Sequence, residues 1–149
     1  MGQNPPHGYV ITRVMIWLAI LFGHRLMCQS AIEVAPTDQR QSQPEPDFAV
    51  LAVDAPEYYG RLPHGHELAL VVEVSDRVSR FDLTTKAGLY ARAEVPKYWV
   101  FDIPRGAIII HRQPVNGSYL QIERLTLQDS LSIEGASIPV AELLLPERR

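Results

Sequence analysis

The chain has 149 residues, of which 46% are hydrophobic, and this is the size and composition of one globular domain (residues 1–149) with a single core. A formal net charge of −3, with no run of Lys or Arg, excludes the strongly basic stripe that many nucleic-acid binders carry. The single cysteine, Cys28, excludes an internal disulfide, so a reducing, cytoplasmic environment is expected.

The first predicted element is a helix that begins after Asn4 and stops before Gly23. Asn4 followed by Pro5 is typical of a helix cap and first turn, and Gly23 is typical of a helix end. Apolar residues recur at positions 10, 14, 17 and 21 and at positions 11, 15, 18 and 22, which predicts a wide stripe facing the core. The continuous apolar stretch, residues 14–22, is too short to cross a bilayer, so no membrane contact is expected; a secretory signal remains the alternative.

The next segments predict two central strands joined by irregular chain. Residues 26–34 favour a short strand and residues 36–46 a polar loop. The apolar run 48–53 is typical of a strand covered on both faces, and Asp47 stands at its entrance. After an irregular connection over residues 54–66, a second central strand begins at Leu68, with Glu73 near its end.

The second half predicts one helix followed by an antiparallel meander. Ser79 is a suitable cap for a helix over residues 80–93, on which Asp82, Lys86 and Tyr90 share one face. Turn signals then separate three strand-like segments, at 98–101, 107–111 and 119–125. A short strand at 132–133 and a short helix at 140–145 complete an α/β (α+β) domain with a mixed central sheet.

Glu73 is the anomaly in this pattern, because it interrupts an apolar strand that should be sealed from water. Burying an ionised carboxylate costs several kcal/mol unless a cation or strong donors compensate it. A divalent metal shared with Asp47 is one compensator, since Mg²⁺ is commonly held by one or two carboxylates and water. A structural ion pair with Lys86 or Arg77 is the other.

Five motifs in order resemble the Uma-two family of restriction endonucleases. They are PD at 46–47, VVEVSD at 71–76, DLTTK at 82–86, YARA at 90–93 and VPKYWVFD at 95–102, and the resemblance covers roughly residues 44–145. The family is similar to the PD-(D/E)xK nuclease superfamily. The resemblance therefore implies a restriction-endonuclease-like mixed sheet flanked by helices, and Mg²⁺- or Mn²⁺-dependent hydrolysis of DNA phosphodiester bonds.

The resemblance also assigns catalytic residues. It implies that Asp47 and Glu73 are the metal ligands. The superfamily's lysine normally lies two residues after the second acid, where this chain has Ser75. In the Uma-two pattern the lysine comes from the following helix, which is the position of Lys86.

Three further residues have a supporting role or a structural one. Asp82 could orient Lys86, or simply complement the helix dipole. Tyr90 could hydrogen-bond near the site, or pack in the core. His7 matches a histidine common at the start of the family's first helix, with a solvated helix end as the alternative.

Two departures from the family pattern keep a second function open. The first N-terminal strands of the family, with one acidic residue, are not matched, and Glu94 stands where the family usually has Gly. The alternative to an active enzyme is therefore a catalytically inactive nuclease-fold remnant that serves as a binding or oligomerisation module. An exposed sheet edge would favour a homodimer, as would the family resemblance.

Overall fold

The computed structural model describes residues 5–40 and 43–146, which form three α-helices and eight strands. The helices are α1 (Pro5–Phe22), α2 (Arg80–Arg92) and α3 (Val140–Leu144). The strands are β1 (Leu26–Cys28), β2 (Phe48–Leu51), β3 (Leu68–Ser75), β4 (Lys97–Asp102), β5 (Ala107–Val115), β6 (Ser118–Leu125), β7 (Ser130–Ile133) and β8 (Ala136–Pro139).

The first six strands form one mixed sheet in the order β1-β2-β3-β4-β5-β6. Only β3 and β4 are parallel, and α2 connects them; the other neighbours are antiparallel. Strands β7 and β8 form a separate hairpin. The predicted fold class is thereby confirmed, including the antiparallel meander of β4, β5 and β6.

The side chains of β3 alternate between two separate halves of the core. Val72 and Val74 face α1, α3 and the β7–β8 hairpin. Val71, on the other face, packs with residues of α2. Because side chains alternate along a strand, Glu73 also faces α2. The sequence pattern thus directs the one charged side chain of β3 towards the helix that carries Lys86.

Helix α1 packs on the sheet through a narrower stripe than the sequence predicted. Its buried residues lie at positions 7, 10, 14, 18 and 22, whereas Met15 is exposed. The stretch Pro5–Arg25, of mean hydropathy 1.3, is long and apolar enough to cross a membrane by length and composition alone. This stretch is longer than the nine-residue apolar segment counted from the sequence. The core helix of a soluble protein meets the same criterion of length and hydropathy. The absence of membrane contact stays a prediction.

Several predicted boundaries were wrong for local backbone reasons. The strand expected over residues 26–34 ends at Cys28, because Gln29 adopts a positive φ of 50°. Strand β8 was not predicted, since its turn lacks an Asn-Gly signal: Glu134 and Gly135 instead take φ values of 49° and 81°. The predicted helix cap, Asn4, lies outside the described residues.

Gly65 supports the chain that leads into β3, because it is packed directly against the backbone after α2. A Cβ atom built at Gly65 would lie 2.1 Å from the carbonyl oxygen of Ala93, which is far inside van der Waals contact. A side chain at this position must therefore displace main chain rather than a flexible side chain.

We expect Gly65→Ala to lower the free energy of unfolding by about 1–3 kcal/mol, because overpacked backbone must shift. Urea denaturation measures the change. Gly60→Ala is the matched control, since a Cβ at Gly60 meets nothing closer than the Glu57 carbonyl oxygen at 3.9 Å. Equal effects for the two variants would contradict the close-contact explanation.

His111 of β5 is buried beneath α2 and stacks on Tyr98, with ring centroids 5.1 Å apart. Burial lowers the pKa of His111 below its usual 6.5, while the hydrogen bond from Nδ1 to the Tyr98 carbonyl oxygen acts in the opposite direction. The folded protein therefore favours the neutral ring.

This shift predicts how stability depends on pH. The stabilising effect of a neutral His111 is fully present above about pH 6.5 and is lost as the pH falls through the lower pKa of the folded state. Urea denaturation between about pH 5 and 8 should show this slope, and His111→Phe should reduce it. His24→Phe is the control, because His24 is exposed and its loss should leave the pH dependence of stability unchanged. If His111→Phe kept the pH dependence of the wild type, the buried ring of His111 would be excluded as the cause.

Candidate active site

Asp47 and Glu73 meet where β2 begins and β3 approaches its end. Phe48 of β2 pairs with Val72 of β3, so the next residues outward along the antiparallel pair are Asp47 and Glu73. Glu73 is itself paired with Val100 on the other side, in the parallel strand β4. The topology therefore brings the two predicted acids together.

The carboxylate of Glu73 accepts three side-chain hydrogen bonds. Tyr90 donates to Oε1 at 2.8 Å, and Lys86 and Tyr98 donate to Oε2 at 2.9 and 3.1 Å. Only 13% of the Glu73 side chain is exposed, against 54% for Lys86. One charged donor and two neutral donors thus compensate an almost buried carboxylate.

The two tyrosines remain hydrogen-bond donors over the whole physiological pH range. Burial raises the pKa of Tyr90 and of Tyr98 above the ordinary value, and the negative charge of Glu73 raises both further. Both hydroxyls therefore stay protonated and directed at Glu73.

Asp47 and His7 both bind the backbone of Val74, beyond the point where β2 can pair with it. Oδ2 of Asp47 accepts a hydrogen bond from the Val74 amide at 2.7 Å, and Nε2 of His7 lies 2.9 Å from the Val74 carbonyl oxygen. These side chains satisfy strand groups that would otherwise lack partners. His7 is accordingly buried, and the interpretation of a solvated helix end was wrong.

The environment of Asp47 disfavours its charge. Burial is the largest effect and raises the pKa of Asp47 above its usual value; the charge of Glu73 raises it too. The Val74 amide, His7 and Lys86 act in the opposite direction without cancelling the rise. A carboxylate that is costly to ionise in the folded state is a common feature of functional sites.

Asp82 and Ser75 line a cleft together with Glu73, but their side chains form no hydrogen bond with it. No ion pair joins Asp82 to Lys86 among the described residues, because the lysine binds Glu73 instead. The amide of Asp82 binds the Ser79 cap at 2.9 Å. Ser75 forms a local turn, in which its Oγ donates to the Arg77 carbonyl oxygen at 2.7 Å.

Tyr98 is the site residue that the sequence analysis missed, since it was placed in the strand-like segment at 98–101 and given no role in the site. The strand register is the signal that could have identified Tyr98. Val100 pairs with Glu73, and Tyr98 lies two residues earlier on the same face of β4. A tyrosine buried in a strand needs a partner for its hydroxyl, and Glu73 is the one charged residue of the neighbouring strand β3.

The site opens into a groove that the Lys86–Glu73 bridge divides. One cleft, of about 470 Å³, extends from Glu73 towards the ion pair of Arg92 and Asp38. A second cleft, of about 310 Å³, extends towards Arg77, and both clefts include Glu73, Asp82 and Lys86. The bridge is therefore accessible from two sides.

The residues present fit a divalent cation held by two carboxylates. An ionised carboxylate has about four acceptor positions, and Glu73 uses three of them. Oδ1 of Asp47 accepts no hydrogen bond from a described residue. Within residues 5–40 and 43–146 no group of three or more His, Cys, Asp or Glu side chains is placed to hold a metal. Water and substrate oxygens would complete the coordination of an ion such as Mg²⁺.

A mixed sheet with two acids at neighbouring strand ends, and a lysine that reaches them from the crossover helix, is the arrangement of a nuclease-like domain. The chain belongs to the Uma2 family, whose model, described as "Putative restriction endonuclease", matches residues 1–141. The match includes α1, which lies outside the motifs at residues 46–102 that carried the resemblance.

A solved structure supports the fold independently. The crystal structure of a "putative nuclease belonging to DUF820" from Anabaena variabilis aligns with a TM-score of 0.65 and 13% identity. The alignment covers 97% of this chain and 82% of that chain. At this identity the likeness shows the fold alone. No curated protein matches the chain.

We expect Tyr98→Phe to lower the free energy of unfolding by about 1.5–3 kcal/mol, because it removes a hydrogen bond to a charged acceptor. Tyr119→Phe is the matched control: its hydroxyl binds the neutral carbonyl oxygen of Val95 at 2.7 Å, and its loss should cost about 0.5–1.5 kcal/mol. Thermal and urea denaturation measure both. A smaller loss of unfolding free energy for Tyr98→Phe than for Tyr119→Phe would contradict the interpretation that Tyr98 stabilises a charged Glu73.

Proposed function

We propose that the protein is a metal-dependent endonuclease that hydrolyses phosphodiester bonds in DNA. The observation that carries the proposal is the almost buried Glu73 carboxylate, which lies beside Asp47, contacts Lys86 and opens into a groove. The family description and the fold of the structural neighbour support a nuclease, and DNA is the substrate that the description suggests.

In this proposal Asp47 and Glu73 hold Mg²⁺ or Mn²⁺. The ion supplies Lewis-acid polarisation of the scissile phosphate and a more acidic attacking water. Lys86, whose ammonium reaches the groove, stabilises the negative charge that develops on the phosphate. Tyr90 and Tyr98 fix the orientation of Glu73, and the Val74 amide fixes Asp47.

The groove carries both signs of charge. Its basic residues are Arg77, Lys86 and Arg92, and its acidic ones are Asp38, Glu45, Glu73 and Asp82. A divalent cation bound at Glu73 would offset part of this negative charge when a phosphate approaches. A cytoplasmic location and a homodimer remain predictions that accompany the proposal.

A second candidate is a catalytically inactive module with a nuclease fold. One observation favours it: Lys86, Tyr90 and Tyr98 already compensate Glu73, so the fold does not need a metal ion to accommodate this carboxylate. The two candidates differ in whether the protein binds a divalent cation and cleaves DNA.

We expect the protein to bind Mg²⁺ in calorimetry and to nick supercoiled plasmid only when Mg²⁺ or Mn²⁺ is present. Glu73→Gln should abolish binding and reduce nicking by about 10²-fold or more, because it removes a ligand charge without changing the side-chain volume.

Glu123→Gln is the control for this experiment, since Glu123 also pairs with a basic residue, Arg112, but lies on β6 away from the site. It should bind metal and nick DNA like the wild type. A folded wild-type chain that binds no metal and cleaves nothing would favour the inactive module.

A further inference from the structure

The three donors to Glu73 differ in exposure. Tyr90 and Tyr98 are buried, with 0% and 1% exposure, and their rings pack against each other with centroids 4.6 Å apart. Lys86 reaches Glu73 from the surface of α2, and more than half of its side chain is exposed. The tyrosines are therefore fixed in the core, whereas the lysine can move at little conformational cost.

A lysine ammonium and a divalent cation that bind the same carboxylate repel each other. Nζ of Lys86 lies 2.9 Å from Oε2 of Glu73, and a bound Mg²⁺ would lie about 2.1 Å from a ligand oxygen of the same group. Two positive centres this close repel each other strongly. The hydroxyls of Tyr90 and Tyr98 are neutral, so they would not repel a bound cation in this way.

The groove offers Lys86 both space and a second acceptor. The two clefts flank the Lys86–Glu73 bridge. Asp82 lies one turn earlier on the same face of α2 and also lines both clefts, and its carboxylate forms no ion pair within the described part of the chain. At i and i+4 on a helix, Asp82 and Lys86 are close enough to pair once Lys86 leaves Glu73.

We propose that Lys86 is the exchangeable partner of Glu73, and that Tyr90 and Tyr98 are its permanent positioning residues. In the metal-free protein Lys86 compensates Glu73. When a divalent cation binds, Lys86 leaves the carboxylate and turns into the groove, where a substrate phosphate would lie, while the two tyrosines keep Glu73 in place. This inference rests on the proposed metal site, and it adds a competition between the lysine and the metal ion.

The test is calorimetric titration of the full chain with Mg²⁺ alone, without nucleic acid. Lys86→Gln should bind Mg²⁺ at least about fivefold more tightly than the wild type, because the competing partner has gone. Arg77→Gln is the matched control: it removes the same charge from the same groove, but the Arg77 guanidinium makes no hydrogen bond to Glu73. Circular dichroism and thermal denaturation verify that all three proteins are folded.

A direct readout follows the lysine itself. Nitrogen NMR of the lysine ammonium groups should show a hydrogen-bonded signal, assigned to Lys86 by its absence in Lys86→Gln, that shifts as Mg²⁺ is added. A Lys86 signal that stays unchanged while Mg²⁺ binds would overturn the exchange.

The outcomes separate this inference from the proposed function. Equal affinities in Lys86→Gln and Arg77→Gln, or weaker binding in Lys86→Gln, would overturn the exchange while leaving the metal site intact. Binding in Lys86→Gln but not in the wild type would support the competition and contradict metal binding by the natural protein. Absence of binding in all three proteins would overturn both.

Discussion

A negative charge inside the sheet is the constraint on which this structure depends. Glu73 occupies a strand whose neighbouring residues are buried, so its carboxylate must find donors within the domain. The parallel β3–β4 pair, with α2 crossing between them, supplies these donors: Tyr98 comes from β4, and Lys86 and Tyr90 come from α2. The crossover that builds the sheet thus also builds the site.

The position of Asp47, the second acid, depends on where the pairing of β2 with β3 ends. Beyond Phe48 the chain no longer pairs with β3 as a strand, and the backbone of Val74 is bound instead by the side chains of Asp47 and His7. The carboxylate of Asp47 thus takes the place of a strand partner, and the Val74 amide fixes its position. Burial makes its charged form unfavourable, and the raised pKa of Asp47 reflects this effect. A nearby cation would relieve that penalty.

Periodicity and family motifs predicted the sheet, its helices and the meeting of Asp47, Glu73 and Lys86. They did not predict the contribution of Tyr98, because a buried tyrosine in a strand has the same pattern whether its hydroxyl donates to a carboxylate or to a backbone carbonyl, as that of Tyr119 does. The end of β1 before Gln29 and the turn at Glu134 depend on positive φ angles of residues other than glycine. Such angles are set by tertiary packing, and sequence patterns seldom record them.

The arrangement around Glu73 also explains how a carboxylate that is proposed to bind a metal ion is tolerated during folding. A carboxylate that relied on a metal ion alone would leave the metal-free chain with an uncompensated buried charge. Here two buried hydroxyls and one exposed ammonium stabilise the carboxylate. Because the charged partner is the exposed one, the proposed replacement of Lys86 by a metal ion would leave the hydrogen bonds in the core unchanged. The division between buried neutral donors and an exposed charged donor would therefore let Lys86 stabilise the fold first and act on the substrate afterwards.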